Sequence, residues 1–381
     1  MSVDVAVIGG GIIGTSAAAM LAERGLRVTL FEATSMGAGA SGRNLGVLQH
    51  PFDPVLAPLY HDSMDRYRRL AGEDGGLDLP ASPVGLLMLN ADADAARAQA
   101  TRLAAALPEL QPSFLDPDAV ALAEPSLARG FAACRLETGH PIPPAAATAA
   151  WALRAERLGV DPRVGEGAEP VVEGGRVAGV RLSGGEIIPA GSVLVAAGPW
   201  TPPLVDATGG WQPIVRTWGV TVQVELDAAP RHVVEQDEVD AVNRPARAAE
   251  RAAAAGEEAE PESLFSMASA AGVTTLGSTF LPAEPEPEPI ARLLLRRGAG
   301  YLPALAAAPV VEVRLCARPQ SLDGRPFIGP LPWAEGLHVC AGHGPWGIST
   351  GPGSAALAVE SLVAGSAAGI PGALRADRFP D

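Results

Sequence analysis

The chain opens on an unbroken apolar run, Val3-Asp4-Val5-Ala6-Val7-Ile8 apart from its one acid, and then turns sharply polar-free into Gly9-Gly10-Gly11-Ile12-Ile13-Gly14. A short apolar run ended by glycines predicts a buried strand, and the Ala-rich stretch Thr15–Arg24 predicts a helix that Gly25 stops. Arg27-Val28-Thr29-Leu30-Phe31-Glu32 reads as a second strand. Strand, helix and strand in that order make a βαβ start, and parallel strands joined by a helix imply an α/β sheet.

Farther along, Val84–Leu89 is another apolar run, and Asp92–Leu107 and Ala145–Leu158 have helical character. Arg176–Leu182 and Glu186–Ile188 predict a hairpin around Ser183-Gly184-Gly185, and Ser192–Ala197 predicts a further buried strand. Gly219–Leu226 alternates as an antiparallel strand does. Near the end, Leu337–Ala341 reads as a strand, followed by a glycine turn and a helix through Ala355–Val363. Two stretches break the pattern. Asn243–Glu262 is expected to be a solvated acidic insertion, with a mobile lid as the alternative. Ala283–Pro289 alternates Glu with Pro and is expected to be an extended surface connector.

A chain of 381 residues has room for two domains or one large one, and 48% hydrophobic residues exclude global disorder. The net charge of −15, with no basic tract, argues against a nucleic-acid partner. All 28 basic residues are Arg. Without lysine, neither a pyridoxal phosphate enzyme nor a P-loop nucleotidase is possible. Cys134, Cys316 and Cys340 are widely spaced, which argues against a disulfide framework or a zinc site, so no metal is expected. No long uncharged apolar run has the length of a membrane span. With a strand already at Val3, no leader is expected, and the localisation read from these features is cytoplasmic.

The chemistry begins at Gly9, Gly11 and Gly14, a GxGxxG between a strand and a helix, with Glu32 ending the next strand. Gly9 permits the tight turn, Gly11 lets a pyrophosphate approach the backbone, and Gly14 lets helix and strand pack closely. The helix N-terminus offers N–H groups and partial positive charge to the diphosphate. Glu32 can accept hydrogen bonds from ribose hydroxyls and would repel a 2′-phosphate. This is a dinucleotide site, and the motif alone does not separate NAD from FAD.

Other landmarks separate them. Gly37-Ala38-Gly39-Ala40-Ser41-Gly42-Arg43-Asn44-Leu45-Gly46 follows Glu32, and Val195-Ala196-Ala197-Gly198-Pro199-Trp200 lies mid-chain. Arg318-Pro319-Gln320-Ser321-Leu322-Asp323-Gly324-Arg325-Pro326-Phe327 and Gly342-His343-Gly344-Pro345-Trp346-Gly347-Ile348 stand near the end. In this order, over nearly the whole chain, they resemble the D-amino acid oxidase superfamily, which includes glycine oxidase, monomeric sarcosine oxidase and D-amino acid dehydrogenases. The resemblance implies a glutathione-reductase-like, Rossmann-type FAD-binding domain from 1–81, 141–212 and 317–381. An α+β substrate domain with a mixed, largely antiparallel sheet would come from 82–140 and 213–316.

By the same resemblance the FAD site takes in Gly9, Gly11, Ile12, Ile13, Gly14, Glu32 and Ala33. It also takes in Ser41, Gly42, Arg43, Asn44, Leu45 and Gly46 beside the isoalloxazine ring. Val171, Ala197, Gly198 and Trp200 belong to it, as do Gly344, Trp346, Gly347, Ile348 and Ser349. The helix N-terminus at Gly347-Ile348-Ser349 would stabilise negative charge on the reduced flavin.

The implied activity is FAD-dependent oxidation of a small amine or amino acid by hydride transfer to the flavin, with O₂ or another electron acceptor. Arg318 would anchor the substrate carboxylate, where a planar guanidinium suits a bidentate partner. Its alternative is a structural ion pair with Asp323. Cys316 matches the cysteine that carries covalent FAD in monomeric sarcosine oxidase. A buried, unreactive thiol is the alternative, and non-covalent FAD is expected. His50 is a candidate for the flavin or the pocket, against an ordinary hydrogen-bonded histidine, and Trp218 and Trp346 are candidates for its walls. Alternative functions are a 2-hydroxy acid oxidase or dehydrogenase and the flavin subunit of a larger complex. A serine hydrolase on Gly347-Ile348-Ser349-Thr350-Gly351 is excluded, because no histidine follows Ser349.

Overall fold

The computed structural model describes residues 3–73, 76–237 and 263–379, so the expected insertion at Asn243–Glu262 lies outside the described residues. One sheet holds β1 (Val3–Ile8), β2 (Val28–Glu32), β8 (Asp161–Val164), β11 (Ile187–Val195), β17 (Phe327–Pro330) and β18 (Leu337–Ala341). Their order is β17-β18-β11-β1-β2-β8, parallel from β18 to β8 and antiparallel only at β17. Both faces are covered, as a parallel sheet requires. Val5 and Val7 of β1 pack against α1 (Ile12–Glu23), α3 (Ala57–Ala71), α6 (Ala146–Arg157) and α9 (Gly347–Ala364), while Ala6 and Ile8 join a second cluster with Val195, Trp211 and Phe327.

The expected hairpin is present, but its second arm and the following expected strand are one element. β9 (Ala168–Glu173) and β10 (Arg176–Leu182) form an antiparallel flap on the first half of β11, whose second half then enters the parallel sheet between β1 and β18. The short α7 (Thr201–Val205) follows.

The other large sheet comprises β4 (Leu86–Asn90), β5 (Ser113–Leu115), β6 (Ala132–Leu136), β12 (Ile214–Val224), β13 (Val233–Gln236), β14 (Ser263–Ala270), β15 (Val273–Thr279) and β16 (Val310–Ser321). They lie in the order β16-β12-β15-β14-β13-β4-β6-β5, antiparallel except where β13 pairs β4. Its faces differ by the two-residue period of strands. Val220, Val222, Val234, Met267 and Leu276 pack against α8 (Pro287–Gly298). Gly219, Thr221, Glu235 and Ser266 face the other way, into a cavity. At the far end α4 (Ala93–Ala106) covers Leu86, Met88 and Cys134, with α5 (Pro117–Ala123) nearby. The small β3 (Val47–Leu48) and β7 (His140–Pro141) pair beside α2 (Ala40–Arg43), between the two large sheets in sequence.

Three element boundaries differ from expectation. The Glu-Pro run is only partly a connector: α8 begins at Pro287, because the first helical turn needs no proline N–H. α9 begins at Gly347, well before Ala355, although Pro352 lies inside it. β16 runs unbroken through 316 and 317, so Cys316 and Arg318 share one strand and one face of the second sheet. Among the described residues, no helix is long and apolar enough to cross a membrane.

Candidate active site

A cavity of about 840 Å³ starts at the C-terminal ends of β1 and β2 and continues across the inner face of the second sheet. The strand order turns outward on both sides of β1, toward β2 and β8 one way and β11 and β18 the other. Such a switch point leaves a crevice beyond the strand ends, where open α/β sheets bind ligands.

The glycine loop lines the crevice from Gly9 to Ile13, except for Gly10. Gly9 has φ +113°, and a Cβ there would lie 2.5 Å from the Ala196 carbonyl oxygen. Gly14 is not on the lining: a Cβ there would collide with the Gly9 carbonyl, so its role is to let α1 approach the loop. Glu32 and Ala33 line the far end. Glu32 also braces the loop, since its Oε2 accepts from the Gly10 amide (2.7 Å) and its Oε1 from the Thr34 amide and hydroxyl (both 2.9 Å). Sequence reading assigned this carboxylate to a ribose alone. The bracing arises because β1 and β2 are adjacent strands, their ends side by side.

Ser41, Arg43, Asn44 and Leu45 line the middle of the cavity. Ser41 Oγ accepts from the Ile12 amide (3.0 Å), and Arg43 Nη1 donates to the Leu315 carbonyl of β16 (2.8 Å), which ties this loop to the start of α1 and to the second sheet. Gly42 and Gly46 lie behind the lining, where a Cβ would strike the Gly37 and Ile142 carbonyls. Ala197, Gly198 and Trp200 reach the cavity from the end of β11. Val171 does not: it is buried in β9 opposite Gly179.

Gly344 and Trp346 to Ser349 form the wall at the start of α9. Tyr67 is fully buried and donates to the Ile348 carbonyl (2.7 Å), and Ser349 Oγ accepts from the Gln49 amide (2.9 Å). The N-terminus of α9 is therefore pinned from two elements. Trp346 is held edge-on to Phe52, with ring centroids 5.8 Å apart, whereas Trp218 is not on the cavity wall.

The cavity then opens onto β12, β14, β15 and β16. Arg318 projects from β16 and crosses β12 at Gly219 to reach β15, where Nη1 donates to the Thr279 carbonyl (3.1 Å) and Nη2 to Ser278 Oγ. Its guanidinium lies 4.6 Å from the centre of the Phe280 ring. Asp323, the partner considered for it, is instead bound by Arg378 (Nε to Oδ2 2.7 Å, Nη2 to Oδ1 2.9 Å). Cys316 also lines the cavity, and burial pushes its thiol pKa up despite nearby Arg318, Arg43 and Arg314. His50 lies outside the lining, its Nδ1 2.6 Å from the Pro51 carbonyl, and burial lowers its pKa. Gly219, Ser278, Glu235 and Gln49 were not read from the sequence. Each becomes significant through strand register or through a loop distant in the chain.

The residues present fit FAD. The loop can bring backbone amides close to a diphosphate without a Cβ in the way, an acid stands at the ribose end, and the crevice continues to a pinned helix N-terminus. A crevice of this form between two sheets defines a dinucleotide-dependent enzyme. The chain belongs to the DAO family of FAD-dependent oxidoreductases, whose family model matches residues 4–361. It is 30% identical over 384 residues to a glycine oxidase of Pseudomonas aeruginosa, covering 95% of each chain. A glycine oxidase of Pseudomonas putida is 28% identical, again with 95% of each chain covered. Among solved structures, glycine oxidase from Geobacillus kaustophilus superimposes with a TM-score of 0.82 over 100% of both chains at 23% identity. That last likeness is one of fold.

Proposed function

We propose that this enzyme oxidises a small carboxylate-bearing amine or amino acid, with Arg318 as the carboxylate anchor. The observation that carries the reading is the placement of Arg318: a cationic side chain held flat over Gly219, in the cavity that continues from the dinucleotide crevice. The family resemblance to glycine oxidases supports the substrate class. The segments of the first sheet would form the cofactor-binding unit, and 82–140 with most of 213–316 the substrate-binding unit.

The chemistry that FAD would supply when bound is acceptance of a hydride from the substrate carbon that bears the nitrogen. The chain's own groups bind and orient. Amides of Gly11 and Ile13 would hold the diphosphate, with Glu32 serving the ribose while it braces Gly10. The N-terminal turn of α9 would face the flavin edge where negative charge develops. Arg318, held by Ser278 and Thr279, would present its guanidinium to the substrate carboxylate and so fix which C–H bond is offered. Phe280 and Leu264 supply apolar wall that limits water and favours the neutral amine. FAD binding would be non-covalent, because thiol attack requires the thiolate and burial holds Cys316 protonated.

The test is anaerobic reduction of the purified holoprotein by glycine, N-methylglycine, D- and L-amino acids and 2-hydroxy acids, followed by visible absorbance. Bleaching by an amine or amino acid supports the reading. Bleaching by hydroxy acids alone would transfer the function to C–O oxidation, and a chain unable to take up FAD would refute the assignment of the crevice.

A further inference from the structure

We propose that Tyr67 and Ser63 of α3 are positioning residues for the flavin. From behind the cavity wall they fix the N-terminal turn of α9, and through that turn they set how far the protein stabilises negative charge on the reduced cofactor.

Pro352 lies inside α9 and has no N–H, so the Ile348 carbonyl four residues before it lacks its usual helical partner. Ile348 is buried, and a buried carbonyl left unpaired costs more than a made hydrogen bond contributes. The Tyr67 hydroxyl donates to that carbonyl at 2.7 Å. One residue past the proline, the Gly353 amide donates to Ser63 Oγ at 2.9 Å. The backbone on both sides of the proline is thus held from α3.

Spacing on α3 makes this possible. Leu59, Ser63 and Tyr67 are four residues apart and form one stripe of the helix. The two helices approach until a Cβ on Gly353 would lie 2.4 Å from the Leu59 carbonyl oxygen. At that separation a serine one turn along reaches the Gly353 amide, and a tyrosine one turn farther reaches Ile348. Both side chains are fully buried, and burial raises the Tyr67 phenol pKa well above its usual value, which keeps it a neutral donor.

Gly347, Ile348 and Ser349 of the turn so held stand on the cavity wall. Amides in the first turn of a helix have no carbonyl four residues back within it, so they are donors for a ligand. Tyr67 is coupled to them through one peptide unit, because the Ile348 carbonyl and the Ser349 N–H belong to the same planar group. A hydroxyl on the carbonyl polarises that group and strengthens its N–H as a donor. A stronger, better fixed donor toward developing negative charge favours the reduced flavin over the oxidised one. Filling the core, by contrast, asks nothing of Tyr67 that phenylalanine would not supply.

This role rests on the placement of the flavin edge at α9 proposed above, and it is read without substrate. The experiment is a reductive titration of the holoenzyme against a reference dye, giving the midpoint potential of the bound flavin. Tyr67→Phe should shift the reduction equilibrium toward the oxidised form by about 3- to 10-fold, a fall of roughly 15 to 30 mV for two electrons. Ser63→Ala should move the potential the same way by less. Combining Tyr67→Phe with Pro352→Ala supplies a new N–H for the Ile348 carbonyl, and the potential should return toward that of the unaltered protein. Tyr60→Phe is the control, since it removes the same hydroxyl from the same helix but one that is bonded to Thr138, and it should leave the potential in place. An unchanged potential in Tyr67→Phe overturns the proposal, as does an equal fall in Tyr60→Phe or a double variant that recovers nothing. If no amine reduces the flavin but the potentials move as stated, the amine reading fails and the positioning role survives. If an amine is oxidised and Tyr67→Phe leaves the potential where it was, the positioning role alone fails.

Discussion

Replacing Gly219 by alanine isolates the geometry of Arg318 from the stability of the strand that supports it. A Cβ at 219 would lie 2.6 Å from Arg318 Nη2, 3.1 Å from Cζ and 3.3 Å from Nη1. Those atoms are the far end of a flexible side chain, so the guanidinium moves and the backbone stays. Gly219 has no left-handed φ, and alanine in a strand interior is favoured over glycine by about 0.5–1 kcal/mol. The fold should therefore be unharmed, with an unchanged or slightly raised Tm. The guanidinium, however, must leave the Thr279 carbonyl, Ser278 Oγ and the Phe280 ring. A misplaced charged hydrogen bond to the substrate costs about 1.5–3 kcal/mol, or roughly 10- to 150-fold in kcat/KM. Most of the loss should be in KM if Arg318 holds ground state and transition state alike. The assay is steady-state kinetics on an amino acid and on its amide, which lacks the carboxylate, with flavin content and Tm measured on the same samples. The amide should change by less than about twofold. An unchanged KM for the acid, or equal losses on acid and amide, would refute the role given to Arg318.

Two other outcomes follow from burial. Acid precipitation should release the flavin into the supernatant from both the unaltered protein and Cys316→Ser; flavin retained in the pellet of the unaltered protein alone would show a covalent bond at Cys316. Burial lowers His338 to about 4 and His343 to about 3, so both are neutral in the native state near neutrality. Their folded values lie below the unfolded value of about 6.5, so the stability they allow is full above that pH and is lost as pH falls from there toward 4 and 3. Between pH 7.5 and pH 5 each should remove roughly 2 kcal/mol. Urea unfolding of His338→Gln should show a pH-dependent loss smaller by about that amount, and an identical loss would overturn the assignment.

What was legible in the sequence is what short-range pattern encodes. The apolar run at Val3–Ile8, the glycines after it and the strand ending in Glu32 lie within thirty-odd consecutive residues, and the βαβ unit forms from their own periodicity. Asp92 was a readable helix start because an N-cap is local: its side chain accepts from the Asp94 and Ala95 amides. Arg318 was found through a motif. Its bracing by Ser278 and Thr279, some 40 residues earlier, was not readable, nor was the need for Gly219 beneath it.

The sequence by itself determined a dinucleotide crevice, a family resemblance and the kind of side chain able to anchor a carboxylate. Only the tertiary structure decided which groups share the cavity. It set Glu235 in a polar row with Ser266 and Thr221, turned Glu32 back onto Gly10, and left Val171 and His50 away from the lining. The physical reason is register. A strand's period of two sorts its residues between two faces, but which face meets a cofactor depends on pairings between segments distant in the chain, whose free energy no local window contains.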